Sequence, residues 1–163
     1  MIKSKTPSDE KDLWGTDWGC FYDAQHLAGR KFSHDVCAEA HTTKCDSFWT
    51  KDDDALSMDW PHDWWCNPPF SLKMEFIRKA RESQWNGAAG VMLLPYEPLT
   101  AWWRANLSHD VVIYEPDGRY NFLERDGVTK KTGVNFGSAF VLFPTNKIGP
   151  SIRVPFHRGV AAE

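Results

Sequence analysis

Several signatures that assign a function quickly are missing from this 163-residue sequence. It contains no GxSxG nucleophile elbow, no phosphate-binding P-loop and no CxxC pair among its four cysteines. The sequence therefore gives no support for an α/β-hydrolase, a P-loop nucleotidase or a paired-cysteine site. No apolar run approaches the roughly 18 residues of a membrane-spanning helix, so we expect no membrane partner.

Glycine is absent between Gly29 and Gly87. Many sites for dinucleotides and methyl donors depend on a glycine-rich turn that lets the ligand approach the backbone closely. Any such ligand must here approach a backbone that carries side chains.

A metal site has little support in the spacing of the candidate ligands. The nearest set follows at gaps of three, four and four residues: His34, Cys37, His41 and Cys45. On one helix these residues would form a stripe, whereas structural zinc sites more often use paired short spacings separated by a longer loop. We therefore predict no metal.

The N-terminal residues read MIKSKTPSDEK and show no signal-peptide pattern. The cysteines have no paired spacing, which is typical of a reducing compartment. We expect a cytoplasmic protein with free thiols.

What the sequence does contain is an excess of aromatic residues and an uneven distribution of charge. Nine Trp and ten Phe exceed ordinary use, so we expect most of them in the core and some as stacking surface. The net charge is -3, yet residues 119–158 carry seven Lys or Arg against two Asp or Glu. A polyanion could dock on this C-terminal quarter. The length fits one domain, placed at 13–163 after a loose segment 1–12, with a monomer as the default.

Strand and helix patterns alternate along the chain. Strands are predicted at 31–37, 48–50, 64–66, 91–94 and 110–114, with helices at 71–85, capped by Ser71, and at 99–107. Segments 119–123 and 139–143 are predicted to form a final antiparallel hairpin. The sequence therefore predicts an α/β fold with an open, mostly parallel sheet, in which ligands bind at the carboxyl ends of the strands.

Asn67-Pro68-Pro69-Phe70 stands between a predicted strand and a predicted helix. Such a loop suits an amine conjugated to a flat ring, whose delocalised lone pair makes it a poor nucleophile. The Asn67 side-chain oxygen and the Pro68 carbonyl could accept its two N–H groups and free the lone pair. The prolines stiffen the loop, and Phe70 offers a face for the ring. A base inside a duplex must be flipped out to reach it.

At these residues the sequence resembles a known family, the phage and prophage DNA N6-adenine methyltransferases, which are short relatives of the Dam enzymes. The matching segments are FSHDVCAEAHTTKCDSFWT, DDDALSMDWPHDWWCNPPF, VMLLP, DGRYNF and NFGSAFVLF. The resemblance implies a Rossmann-like methyltransferase fold, S-adenosylmethionine as donor, adenine in DNA as acceptor and a catalytic loop at Asn67, Pro68, Pro69 and Phe70. It also implies action in a bacterial host cytoplasm and protection of phage DNA in restriction-modification.

The resemblance further implies a cofactor site in the first half of the chain. Its candidate residues are Thr16, Asp35, Val36, Cys37, Ala38, Asp54, Asp59 and Trp60. Asp35 would pair with the cofactor ammonium group, and either Asp54 or Asp46 would hold the ribose hydroxyls. One departure is Asp17, which stands where the family usually has proline.

Candidate DNA-binding residues cluster in the basic C-terminal quarter: Arg119, Tyr120, Arg125, Lys130 and Lys131. The cations would neutralise phosphates, and Tyr120 would stack or wedge between bases. Two alternatives stay open. The loop could methylate another planar amine, such as cytosine N4 or a glutamine amide, or the chain could be a non-catalytic DNA- or protein-binding relative that has lost the cofactor.

Overall fold

The structure is a computed structural model that describes residues 8–163. Its helices are α1 Ser8–Lys11, α2 Trp18–Ala28, α3 Lys73–Trp85 and α4 Ala101–Asn106. Its strands are β1 Gly15–Thr16, β2 His34–Asp35, β3 Ser47–Phe48, β4 Trp64–Cys66, β5 Gly90–Pro95, β6 Val112–Pro116, β7 Phe122–Leu123, β8 Ser138–Phe143 and β9 Ile152–Phe156. None of the helices in this part of the chain has both the length and the apolar character needed to cross a membrane.

A seven-stranded sheet in the order β3-β2-β4-β5-β8-β6-β9 forms the centre of the molecule. Strands β3, β2, β4 and β5 pair in parallel, as do β6 and β9. Only β8 is antiparallel to both of its neighbours, β5 and β6. Six of the seven strands therefore run in one direction, which confirms the mixed α/β fold with a mostly parallel sheet.

The predicted hairpin of 119–123 with 139–143 is wrong. Strand β7 pairs with β1 in a separate two-stranded sheet, with Thr16 opposite Phe122. Strand β8 instead lies inside the large sheet, and five of its six residues are buried. A strand that is apolar on both faces is best buried between two neighbours, where both faces can pack.

Two apolar clusters cover the two faces of the sheet, and neighbouring residues of β4 divide between them. Trp64 packs with α3 and Met92 in one cluster, and Trp65 packs with α2 and Leu93 in the other. Both indoles are completely buried. Gly90 makes room for the first, because a Cβ there would lie 2.1 Å from a carbon of the Trp64 ring. Much of the aromatic excess is therefore core.

The start of α3 differs from the prediction. Ser71 does not cap it, because a 3-10 turn over Phe70–Leu72 comes first and α3 begins at Lys73. The Ser71 backbone N–H and hydroxyl both donate to the Asp12 carboxylate instead. Asp12 thereby ties the segment before β1 to the Asn67–Phe70 loop. Of the segment predicted to be loose, residues 1–7 lie outside the described residues and 8–11 form α1.

Candidate active site

A cavity of about 340 Å³ opens at the carboxyl ends of β2 and β4. This volume lies within the range of small-molecule sites, and the position is the one where ligands bind in open α/β sheets. Six of the eight predicted cofactor residues line it: Thr16, Asp35, Val36, Cys37, Ala38 and Asp54. The structure thus brings together residues that lie up to 38 positions apart in the sequence.

Asp35 is the buried acid of this cavity and is only 3% exposed. Its carboxylate accepts hydrogen bonds from the backbone N–H groups of Cys37, at 3.2 Å, and Lys44, at 3.4 Å. Burial raises the pKa of Asp35 to about 7, against the lowering effect of these two hydrogen bonds and of the Lys44 charge. A buried carboxylate at this point favours a cationic ligand, which would compensate its charge.

The chain after β2 approaches the cavity without a glycine. Val36 is fully buried, and the half-buried Cys37 and Ala38 carry small side chains that leave the cavity open. Burial raises the pKa of the Cys37 thiol to about 12, with the Asp35 charge contributing, so this thiol is neutral near pH 7. Within residues 8–163, no group of three or more His, Cys, Asp or Glu side chains is arranged to hold a metal ion.

Asp17, the departure from the family pattern, has a clear structural role. It is the N-cap of α2, and its side chain accepts a hydrogen bond from the Gly19 backbone N–H at 2.9 Å. Its φ of -67° is also the value to which proline is restricted. The backbone at this position therefore suits either residue, and the preceding Thr16 keeps its place in the cavity wall.

Asn67 lies where the large cavity meets a second, much smaller one. The smaller cavity, of about 10 Å³, is lined by Asn67, Pro68 and Phe70, by Phe122, and by Lys73, Leu93, Leu94, Pro95 and Ser138. The Asn67 Nδ2 donates to the Thr16 Oγ1 at 3.1 Å. A chemical group transferred from a ligand in one cavity to a ligand in the other would therefore pass next to Asn67.

Phe70 belongs to a cluster of four aromatic rings beside the loop. Its ring centroid lies 6.3 Å from that of Trp14, 6.4 Å from that of Phe122 and 5.4 Å from that of Phe136. The Lys11 ammonium stands 5.4 Å from the Phe70 ring. Two rings of the cluster, Phe70 and Phe122, line the second cavity.

Reasoning from the sequence missed the other three rings of this cluster. Trp14, Phe122 and Phe136 lie 56, 52 and 66 positions from Phe70, so no local spacing connects them. The available signal was the family pattern, because DGRYNF contains Phe122 and NFGSAFVLF contains Phe136.

The remaining cofactor candidates lie outside the cavity lining. Trp60 is buried in the core, where its ring packs on Trp64 and its indole N–H donates to the Ala55 carbonyl at 2.9 Å. Asp59 is exposed beside it. Of the two ribose candidates, Asp54 lines the cavity and Asp46 is exposed and does not.

The structure corrects the expectation that Tyr120 reaches DNA. Tyr120 is buried, and its hydroxyl donates to the Asp23 carboxylate at 2.6 Å. Its ring packs against Phe140 and Phe156. A side chain held by both a buried hydrogen bond and ring packing serves the core, since extracting it would leave Asp23 without this partner.

The predicted cations lie at the surface with different partners. Arg125 and Lys130 are exposed and form no ion pair within residues 8–163. Lys131 stands 3.7 Å from the Glu124 carboxylate and 5.4 Å from the Trp14 ring. Arg119 is exposed and donates to the Val134 carbonyl at 3.4 Å. The first two are therefore the most available to an anionic partner.

Comparison with known proteins identifies the family. A family model described as DNA N-6-adenine-methyltransferase (Dam) matches residues 3–154. The chain is 32% identical over 146 residues to the DNA N-6-adenine-methyltransferase of Haemophilus phage HP1 (strain HP1c1), covering 88% of this chain and 84% of that protein. It is 27% identical over 165 residues to the DNA N-6-adenine-methyltransferase of Escherichia phage T1, covering 90% and 68%. No solved structure matches significantly.

Fold and cavity define an α/β protein with a cavity of small-molecule size at the carboxyl edge of its sheet. With these similarities, the particular family is clear. The chain belongs to the DNA N-6-adenine-methyltransferase (Dam) family, which confirms the resemblance seen in the sequence.

The raised pKa of Asp35 predicts how stability depends on pH in the ligand-free protein. Because the folded-state value of about 7 exceeds the ordinary 3.8, the folded chain retains a proton that the unfolded chain releases. The corresponding stability is complete below pH 3.8 and is lost as the pH rises to about 7. Asparagine has no such proton to release. Between pH 5 and pH 7.5 the free energy of unfolding should therefore fall by about 2 kcal/mol less in Asp35→Asn than in the wild type. Urea denaturation at both pH values measures this, and equal pH dependence in the two proteins would contradict it.

Proposed function

We propose that this chain transfers a methyl group from S-adenosylmethionine to the N6 amine of adenine in DNA, within a Rossmann-like methyltransferase fold. The observation that carries the proposal is the position of Asn67-Pro68-Pro69-Phe70, between a ligand cavity and the smaller cavity beside Phe70. Family membership supports the reaction. The single reversed strand in an otherwise parallel sheet, with the cavity at the carboxyl ends, supports the fold.

The large cavity suits the methyl donor. S-adenosylmethionine supplies an electrophilic methyl group on its sulfonium sulfur, and its amino-acid end carries an ammonium group. The buried Asp35 carboxylate fits that ammonium, because a cation here would stabilise the charged form against burial. Val36, Cys37 and Ala38 would line the approach, and Asp54 would accept from the ribose hydroxyls.

The loop suits an exocyclic amine. The Asn67 Oδ1 and the Pro68 carbonyl are two acceptors for the two N–H groups of the amine, and the bonds draw its nitrogen towards tetrahedral geometry. The two prolines limit the rearrangement of these acceptors, so their dipoles are already directed when the substrate arrives. The smaller cavity has room for about one water molecule, so a purine stacks on Phe70 only when the neighbouring rings move apart.

A flipped base requires that the duplex lies against the loop. Arg125 and Lys130 project from the segment that joins β7 to β8, and β7 is paired to β1 beside the loop. Lys131 follows Lys130 in the same segment, and Arg119 precedes β7. These cations would hold phosphates and provide affinity without sequence choice.

Asp17 and the absence of glycine between Gly29 and Gly87 would favour a non-catalytic relative if they disturbed the cavity. The unusual Asp17 caps α2 in a backbone conformation that proline also adopts. The segment without glycine still leaves a cavity of about 340 Å³. Neither feature therefore argues against a bound methyl donor.

Removal of the Asn67 acceptor tests the catalytic loop. We expect Asn67→Ala to lower kcat by about 100- to 1,000-fold, the usual effect of deleting one preorganised polar group at the reacting atoms. The thermal unfolding midpoint should stay within about 3 °C of the wild type. Asn146→Ala, which truncates an exposed asparagine far from both cavities, is the matched control. Turnover of Asn67→Ala at the wild-type rate would refute the assignment.

A pair of aspartate variants tests the ribose contact. Asp54→Asn should weaken S-adenosylmethionine binding by about tenfold, since it replaces a charged acceptor in the cavity wall. Asp46→Asn should change the dissociation constant by less than about twofold, because Asp46 is exposed outside the cavity. Asparagine also tolerates the positive φ of 51° at position 54. Calorimetric titration measures both, and a larger effect at position 46 would reverse the assignment.

The DNA surface is tested by its salt dependence. The double variant Arg125→Gln and Lys130→Gln should reduce the slope of log K against log salt by about 2, roughly 0.9 for each phosphate that is no longer neutralised. Arg104→Gln removes an exposed cation on α4 and should leave the slope unchanged. A slope in the double variant equal to that of the wild type would exclude this surface.

A further inference from the structure

Thr16 joins the two halves of the proposed active site through its hydroxyl. It is 5% exposed, lines the large cavity and accepts the hydrogen bond from the Asn67 Nδ2 at 3.1 Å. Its backbone is held by pairing in β1, where it lies opposite Phe122 of β7. The Thr16 backbone is therefore positioned by strand pairing in which the Asn67 loop takes no part.

The direction of this hydrogen bond decides which atom Asn67 offers to a substrate. A primary amide has an acceptor oxygen at one side and a donor NH2 group at the other. With Nδ2 turned to Thr16, Oδ1 faces away and receives no hydrogen bond from residues 8–163. In the reversed orientation Nδ2 would face the N–H groups of an amine, and two donors would oppose each other.

The Thr16 hydroxyl proton has no acceptor within residues 8–163. Because Thr16 also lines the large cavity, that proton is available to an acceptor on a ligand there. A hydroxyl that donates to the ligand has only its lone pairs left for Asn67. Thr16 is thereby suited to accept from Nδ2 when the large cavity is filled.

We propose that Thr16 is a positioning residue that holds the Asn67 amide with its oxygen towards the amine to be methylated. The proposal rests on the function proposed above and adds to Thr16 a role beyond contact with the methyl donor. It predicts that the Thr16 hydroxyl affects the rate of the transfer step even when both substrates saturate the enzyme. A contact made only with the donor would change its affinity and leave that saturated rate unaltered.

The test compares Thr16→Val, which keeps the branched shape and removes the hydroxyl, with Thr16→Ser, which keeps the hydroxyl. Single-turnover rates are measured with saturating S-adenosylmethionine and DNA, and calorimetry gives the donor dissociation constant of each variant. Thr16→Val should lower the saturated rate by about 10- to 100-fold, the usual consequence of misplacing a reacting group. Thr16→Ser should recover it to within about threefold of the wild type. Thr43→Val is the matched control, since it removes a hydroxyl bonded to the Cys45 carbonyl outside both cavities.

The outcomes separate this inference from the proposed function. A Thr16→Val enzyme with the wild-type saturated rate and a weakened donor affinity would overturn the positioning role. Loss of activity in Asn67→Ala would at the same time support the assignment of the catalytic loop. Equal rate losses in Thr16→Val and Thr16→Ser would also overturn it, because the hydroxyl would then not be the group that matters. Full activity of Asn67→Ala would refute the proposed function itself.

Discussion

Proline has no backbone N–H to donate, and this constraint determines where the site can form. Strand β4 ends at Cys66, immediately before Asn67-Pro68, although it lies inside the sheet between β2 and β5. The ladder cannot continue through the two prolines, so the chain leaves the sheet at its carboxyl edge. The loop that carries the Asn67 side chain consequently lies, half-buried, at the one edge where a parallel sheet leaves room for a ligand.

Around this loop the molecule combines one buried charge with fixed neutral acceptors. Asp35 is held by backbone N–H groups at the end of β2, and its pKa is raised because the cost of burying the carboxylate exceeds the compensation from these hydrogen bonds and the Lys44 charge. Asn67, held by Thr16, and the Pro68 carbonyl carry no net charge. In the proposed reaction the charged group would bind the donor and the neutral groups would receive the amine, so binding and chemistry are assigned to different residues.

The sequence predicted the class of fold and much of the large cavity, because those features are local. The run Trp64–Cys66, stopped by proline, gives a strand with the predicted bounds, and the segment after Asp35 lines the cavity as expected. The partner of 119–123 could not be read from local pattern. Pairing β7 with β1 depends on contacts about a hundred residues apart, and the position of β8 depends on burial of both its faces.

Tyr120 and Trp60 show the same limitation at the level of single side chains. An aromatic residue next to a charged or polar neighbour is equally compatible with a surface or a core position, and only the three-dimensional partners decide. Tyr120 donates to Asp23, which lies 97 positions away in the sequence. Trp60 packs against Trp64, and its indole N–H donates to the Ala55 carbonyl. The ring cluster around Phe70 escaped prediction for the same reason, since its members come from separate parts of the chain.

The most direct test of the account is transfer of labelled methyl from S-adenosylmethionine into unmodified DNA, followed by digestion to nucleosides. The account predicts that the label appears in the N6-methyladenine nucleoside. Label in a methylated cytosine nucleoside would preserve the chemistry of the loop and contradict the substrate. Absence of label from the DNA, together with no measurable binding of S-adenosylmethionine, would contradict the proposed enzyme.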